Sequence, residues 1–282
     1  MSDRRALPEA PEPLPAPTTD AHTHLGATGQ KTGLGVPEAL VAARAVGVTR
    51  VVDVGYDAPS SVAAVRAAEE YQEIIATVAV HPHDAVELGD GLASALAQVE
   101  ALLGSSERIR GVGETGLDYY WVHDEAGRAR QREVFATHIA WARRHDLALV
   151  IHDREAHSDL ADVLDAEGWP DRIQMHCFSG DAAFARRCLD AGAHLSFPGT
   201  VTFKANEDLR EALRITPADR LLVETDAPYL TPVPMRGRPN ASYLLPHTVR
   251  FIAETRGDDL AALCAQLEAN ATALFGPWGS DG

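Results

Sequence analysis

Apolar positions in this chain fall into short continuous runs separated by longer, alanine-rich amphipathic stretches. Eight apolar runs stand out, at 18–25, 50–54, 74–80, 109–113, 147–152, 172–177, 193–197 and 221–225. Between them, 36–46, 60–71, 92–103, 129–145, 182–191 and 206–213 have the apolar spacing of one helix face. Continuous apolar strands alternating with helices predict a parallel sheet covered on both faces. Eight such units point to an α/β fold of the (β/α)8 TIM barrel type, with a doubly wound open sheet as the alternative. We expect a single domain over 18–282, with no internal linker or repeat beyond the strand–helix unit.

Polar residues interrupt this pattern at particular places. His22 and His24 end the first run, and His81 and His83 follow the third. Glu114 follows the fourth, His152 ends the fifth, His176 falls at the end of the sixth, and Asp226 follows the eighth. In a barrel all of these would converge on the C-terminal mouth, where such folds build their sites. That placement favours the barrel.

The 282 residues suit one large domain, and the 45% hydrophobic content supplies a substantial core. No run of about 18 apolar residues is present, so no transmembrane helix is expected. The segment 1–17 has no apolar signal core and carries five prolines among its charges, which reads as a disordered tail. Three cysteines, an odd number in a long chain, suggest reduced thiols and a cytoplasmic setting. The net charge of −16 argues against a basic duplex-binding surface. Nucleic acid would have to be gripped locally, at a pocket, with metal ions supplying the positive charge.

Four histidines and two carboxylates can hold two divalent metal ions. His22 and His24, two apart on a strand, present their imidazoles side by side, with Asp226 completing that ion's ligands. His152 and His176 would hold the second ion, and Glu114, with two oxygens, could bridge both. Two ions roughly 3.5–4 Å apart share a hydroxide and clamp the attacking and leaving oxygens of a displacement. Some barrel hydrolases use a carbamylated lysine as the bridge. Here the only lysine between His24 and His152 is Lys31, read as lying in a polar loop, so the bridge falls to Glu114. Imidazole-rich sites suit zinc or manganese.

Several separate stretches then match one family in order. They are Asp20-Ala21-His22-Thr23-His24-Leu25, His81-Pro82-His83, Gly113-Glu114-Thr115-Gly116-Leu117-Asp118-Tyr119, Ile151-His152-Asp153-Arg154, His176-Cys177-Phe178-Ser179-Gly180 and Glu224-Thr225-Asp226-Ala227-Pro228-Tyr229. From about Thr18 to Phe275 the chain resembles the TatD family of metal-dependent hydrolases. The resemblance implies a metallo-dependent hydrolase barrel, magnesium or manganese support, and a 3′–5′ exodeoxyribonuclease acting on single-stranded DNA or RNA. One departure is at Arg236-Gly237-Arg238-Pro239-Asn240, where the family has lysine in place of Arg238.

Asp226 is then expected to act twice, as a metal ligand and as the base that takes the proton of the attacking water. For substrate contacts the candidates are His81, Arg154 and Arg236, with Arg238 beside it. Each has a plainer alternative: a turn set by Pro82, a surface pair of Arg154 with Asp153 or Glu155, and a solvated loop at 236–240. Tyr119, Tyr120 and Trp121 could stack on a base or close a loop over the core. Cys177 is expected to be a buried, inert thiol. No function is assigned to His123, His138, His145, His157, His194 and His247, most of which are expected at surface or capping positions. The same six ligands could also serve a D-aminoacyl-tRNA deacylase or another ester or amide hydrolase. Their completeness argues against a non-catalytic binding module. Beyond the nucleic acid, no membrane and no obligate protein partner are expected.

Overall fold

The computed structural model describes residues 6–278. Eight parallel strands follow one another in chain order: β1 (Thr18–Thr23), β2 (Val48–Val54), β3 (Ile74–Val78), β4 (Ile109–Asp118), β5 (Ala148–Arg154), β6 (Ile173–Met175), β7 (His194–Phe197) and β8 (Leu221–Val223). Parallel ladders join each strand to the next from β1 to β8. The seam between β8 and β1 is closed just beyond the strand end. There the Asp226 N–H donates to the His22 carbonyl and the His24 N–H to the Ala227 carbonyl, each at 2.9 Å. Asp20 bolts the same seam, its carboxylate accepting from the Thr225 N–H at 2.8 Å and the Thr225 hydroxyl at 2.6 Å. The sheet is therefore a barrel and not an open doubly wound sheet.

Eleven helices lie between and after the strands in the described residues. They are α1 (Leu25–Thr32), α2 (Val36–Ala45), α3 (Ala58–Glu70), α4 (Pro82–Glu87), α5 (Leu92–Glu100), α6 (Glu125–Arg144), α7 (His157–Glu167), α8 (Ala182–Asp190), α9 (Glu207–Ile215), α10 (Leu245–Arg256) and α11 (Leu260–Phe275). Aspartates cap several of them: Asp57, Asp124, Asp181 and Asp259 accept from backbone N–H groups of the first turns of α3, α6, α8 and α11. No helix is long and apolar enough to cross a membrane.

Period-two alternation along the strands divides the core in two. Val51, Ile74, Leu149 and Leu221 face outward into the layer shared with the helices. Their neighbours Val52, Ile75, Val150 and Leu222 fill the barrel interior. The interior cluster continues into Leu274 and Phe275 of α11 and on to Trp278. Trp278 donates its indole N–H to the Glu73 carbonyl just before β3, so the C-terminal segment covers the end of the barrel opposite the mouth.

Three expectations change. The fourth strand does not stop near Gly113 but runs on to Asp118, carrying Glu114 inside it. Lys31 is not in a loop; it sits in the last turn of α1. The tail expected to be disordered over 1–17 lies against the barrel from Ala6 onward, while 1–5 fall outside the described residues. Arg238 donates to the Ala6 and Leu7 carbonyls, Tyr243 to the Pro8 carbonyl, and Arg250 to the Pro13 carbonyl. Leu14 is buried, with its N–H bonded to the Val46 carbonyl. These donors fix carbonyls that a proline-rich segment cannot pair with its own N–H groups.

Candidate metal centre

Each ligand candidate reaches the mouth by a different local device. His22 lies in β1, and His24 sits one residue beyond it as the cap of α1. Their rings meet edge to face at 5.0 Å. His24 Nδ1 lies 2.9 Å from the Val54 carbonyl, which leaves its Nε2 free to face the site. Glu114 is aimed by a bulge: Val112 pairs with Leu149 but Thr115 with Ile151, so β4 carries one extra residue between them. Gly113, at φ +155, is needed there, because a Cβ would collide with Val150. Asp226 adopts φ +51, a left-handed conformation that aspartate tolerates better than most residues. The bond from its N–H to the His22 carbonyl turns its side chain back toward β1.

Glu114 occupies the middle. Its Oε2 lies 3.6 Å from Nε2 of both His22 and His24. Its Oε1 lies 2.7 Å from His152 Nδ1, 3.3 Å from His176 Nε2 and 3.5 Å from His81 Nε2. Asp226 Oδ1 is 3.4 Å from His24 Nε2 and 3.9 Å from His22 Nε2. The six candidate ligands are thus brought together, with His22, His24 and Asp226 on one side of Glu114 and His152 and His176 on the other. His22, His24 and Glu114 form one group able to share a cation; Glu114, His152 and His176 form another.

Two carboxylates outside the expected set hold this centre from behind. Glu224, fully buried, places Oε1 2.8 Å from His176 Nδ1 and accepts from the Cys177 N–H at 2.7 Å. Its Oε2 accepts from Ser196 at 2.5 Å and Gln174 at 3.1 Å. Asp118 faces His152 Nε2 at 3.1 Å and accepts from the Tyr120 and Trp121 N–H groups. Both were visible in the sequence as acids directly after apolar strand residues, a position where a buried charge needs a partner.

The electrostatics ask for positive charge. Burial opposes protonation of His24, yet the hydrogen bond with Asp226 and the nearby Glu114 carry its pKa up to about 9. His152 likewise rises to about 9 against burial, through Asp118 and Glu114. His176 is pushed well above its usual value by Glu224 and Glu114 despite its burial. Glu114 is held well below the usual carboxylate range despite burial, chiefly by His176 and His81. His22 goes the other way, to about 3, because burial and the neighbouring His176 disfavour its charge. Its ring stacks on that of His176 at 3.4 Å, and neither of its nitrogens has a hydrogen-bond partner. A fully buried neutral imidazole with two orphaned nitrogens, facing two carboxylates, fits a divalent cation.

The substrate candidates separate. His81 caps α4, its Nδ1 accepting from the His83 N–H at 3.1 Å; the proton therefore sits on Nε2, which points at the centre. Burial lowers its pKa, so it is a neutral donor. Arg154 makes no ion pair with Asp153 or Glu155; its guanidinium lies 3.8 Å from the centroid of the Tyr120 ring, at the rim. Asp153 instead faces His157 at 2.6 Å. Arg236 is exposed over the Phe203 ring, outside the metal centre. Arg238 is spent on the tail carbonyls, which removes it as a phosphate ligand. Tyr119 is buried and bonded to Asp159, whereas Tyr120 and Trp121 are exposed. Burial pushes the Cys177 thiol well up, and Cys177 stands free with Cys188 and Cys264. His138 and His194 are buried, not at the surface.

A cavity of about 480 Å³ opens onto Glu114, His152, His176 and Asp226. A second, of about 730 Å³, reaches His24, His81, His152 and Trp121 from the other side.

Comparison with known proteins finds relatives along nearly the whole chain. The family described as TatD related DNase matches residues 19–276. An uncharacterized metal-dependent hydrolase TatD of Mycobacterium tuberculosis is 49% identical over 238 residues, 83% of this chain and 89% of that protein. A 3′–5′ ssDNA/RNA exonuclease TatD of Klebsiella pneumoniae is 34% identical over 247 residues, covering 85% of this chain and 91% of that protein. Among solved structures, YJJV, a TatD homologue from Escherichia coli K12, superposes with a TM-score of 0.82 at 25% identity, over 92% of this chain and 97% of that one.

Proposed function

The chain belongs to the family of TatD related DNases, metal-dependent hydrolases, and from that premise we propose that it is a 3′–5′ exonuclease acting on single-stranded DNA or RNA. The observation that carries this reading is the orientation of Glu114. One carboxylate oxygen faces His22 and His24, and the other faces His152 and His176. Such a bridge suits two divalent cations, with Asp226 completing the first group and magnesium, manganese or zinc all compatible with the donors. Cations held there would polarise a phosphodiester and acidify the attacking water. The relative from Klebsiella pneumoniae, named as an exonuclease on ssDNA and RNA, supports the choice of bond.

The chain's own residues take the remaining roles. Asp226 lies where a carboxylate can take the proton of the attacking water, beside His24. His81, neutral and protonated at Nε2, donates to a phosphate oxygen on the His152 side. Arg154, fixed against Tyr120, offers its guanidinium fork to the phosphate at the rim. Glu224 and Asp118 hold the imidazoles of His176 and His152 in place.

The test is hydrolysis of a 5′-labelled single-stranded DNA oligonucleotide with magnesium or manganese, with Asp226→Asn run beside the wild type. A ladder shrinking from the 3′ end, absent in the variant, is the expected result. An intact oligonucleotide on a protein shown to hold metal would overturn the nuclease reading and direct the search to ester substrates such as D-aminoacyl-tRNA.

A further inference from the structure

A third cavity, of about 660 Å³, lies beside the mouth and does not touch the metal centre. Lys31, Phe203, Tyr229, Leu230, Arg236 and Arg238 contribute to its wall. No carboxylate lines it among the described residues, in a chain that carries 41 acidic against 25 basic side chains. Three cations without a counter-charge make this wall a local positive field on an acidic molecule.

The cations are also paired with aromatic faces. Lys31 Nζ lies 5.0 Å from the centroid of the Tyr229 ring, and the Arg236 guanidinium lies 4.3 Å from that of Phe203. Tyr229 is 51% exposed, although a tyrosine ring normally buries its apolar body. The loop that carries Arg236 is held rigidly. Arg238 clamps it to the Ala6 and Leu7 carbonyls, and the Asn240 amide donates to the Thr225 and Tyr229 carbonyls. Leu230 lines this cavity and both cavities that reach the metal ligands, so this cavity adjoins the metal centre across a single side chain.

We propose that this cavity is a second nucleic-acid subsite, which binds the nucleotides of a single strand upstream of the scissile phosphate. Lys31 and Arg236 take backbone phosphates, and the Tyr229 and Phe203 faces receive bases. Stacking on aromatics with cations tracking the backbone is the chemistry of sequence-tolerant single-strand binding. The strand runs from the metal centre over Tyr229 and Leu230 into this cavity. Arg154, Tyr120 and Trp121 mark the opposite rim. The inference rests on the nuclease reading for its direction, but the cavity's affinity for a single strand is measurable without cleavage.

The experiment uses the metal-loaded full chain and 5′-fluorescent phosphorothioate oligothymidylates of two, four, six and eight nucleotides, followed by anisotropy at several salt concentrations. Unmodified strands of the same lengths are tested for cleavage in parallel. Wild-type affinity is expected to climb with length until the strand fills the cavity. Arg236→Ala and Lys31→Ala should each weaken octamer binding about tenfold and lower the slope of log affinity against log salt by about 0.7. Phe203→Leu should weaken the octamer on a similar scale through lost stacking. Affinity that does not grow beyond two nucleotides, or variants that bind the octamer as the wild type does, would overturn the subsite. Length-dependent binding that the variants lose, with no cleavage by the wild type, would sink the nuclease reading and leave the subsite standing. Cleavage without length dependence would do the reverse.

Discussion

Glu224 sits directly behind His176: its Oε1 is 2.8 Å from the imidazole Nδ1, while the Nε2 of the same ring faces Glu114 at 3.3 Å. The ring is gripped between two carboxylates, one buried behind it and one in the centre. A carboxylate on the far nitrogen fixes the orientation of a ligating imidazole and raises its basicity. Glu224 also ties β6, β7 and the Cys177 amide together through Gln174 and Ser196. Glu224→Gln keeps the shape and removes the charge, so metal affinity should fall about 10–100-fold while the fold persists. Competition against a chromogenic chelator measures it, with circular dichroism as the control. Unchanged affinity would reduce Glu224 to a packing group.

The barrel seam makes a second prediction. Asp20 is fully buried, and burial lifts its pKa to about 7 even though Thr225 bonds its carboxylate twice. Thr225→Val keeps volume and deletes one of those bonds, leaving part of a buried carboxyl unsatisfied. The cost should be about 1–3 kcal/mol of unfolding free energy. Because Asp226 follows directly and bonds back to His22, hydrolase activity should fall as well. Urea titration of both proteins tests this. A stability equal to the wild type would show that other contacts close the seam.

The eight strands were legible because parallel, doubly covered strands must be continuously apolar. The strand the pattern cut short, β4, is the one whose second half serves the site. Gly113, Glu114, Thr115 and Gly116 break the apolar run because that stretch bulges and approaches β5 closely. The candidate ligands were legible for a related reason: a histidine or carboxylate at the end of an apolar run has few structural uses. Glu224 and Asp118 followed the same rule but were shadowed by Asp226 and Glu114 nearby. The tail's order was not legible because proline content reports only missing N–H donors, and here Arg238, Tyr243 and Arg250 supply donors from elsewhere. That pairing joins residues more than 230 positions apart, and no local pattern encodes it.

Glycine 116 offers a steric test of how tightly β4 and β5 are joined. It pairs with His152, has φ +139, and a Cβ there would overlap the His152 carbonyl. Gly192, at φ +87, opens onto free space and serves as the control. Gly192→Ala should cost about 1–2 kcal/mol, the backbone penalty alone. Gly116→Ala should cost clearly more and should depress metal affinity, since relief of the overlap displaces His152. Equal losses at the two positions would mean that β5 yields freely.

His138 gives a pH prediction free of the metal centre. It lies in α6, fully buried, with Nε2 accepting from the Val80 N–H at 3.4 Å. Its proton is therefore on Nδ1, which donates to the Thr115 hydroxyl at 2.8 Å. Burial, unopposed by any partner charge, lowers its pKa from 6.5 to about 3. Between those values the unfolded chain binds a proton that the folded chain refuses, so stability rises with pH. The contribution is complete above about pH 6.5 and is lost by about 1.4 kcal/mol per unit as pH falls toward 3. His138→Gln has no titrating group at this position. The stability advantage of wild type over the variant should shrink by about 2 kcal/mol between pH 7 and pH 5. Urea unfolding of the metal-free proteins at both pH values reads this difference directly. Other histidines titrate equally in the two proteins and cancel, as does the centre itself. An advantage that stays constant would mean that His138 accepts a proton while folded, which would require α6 to open away from Thr115 and Val80.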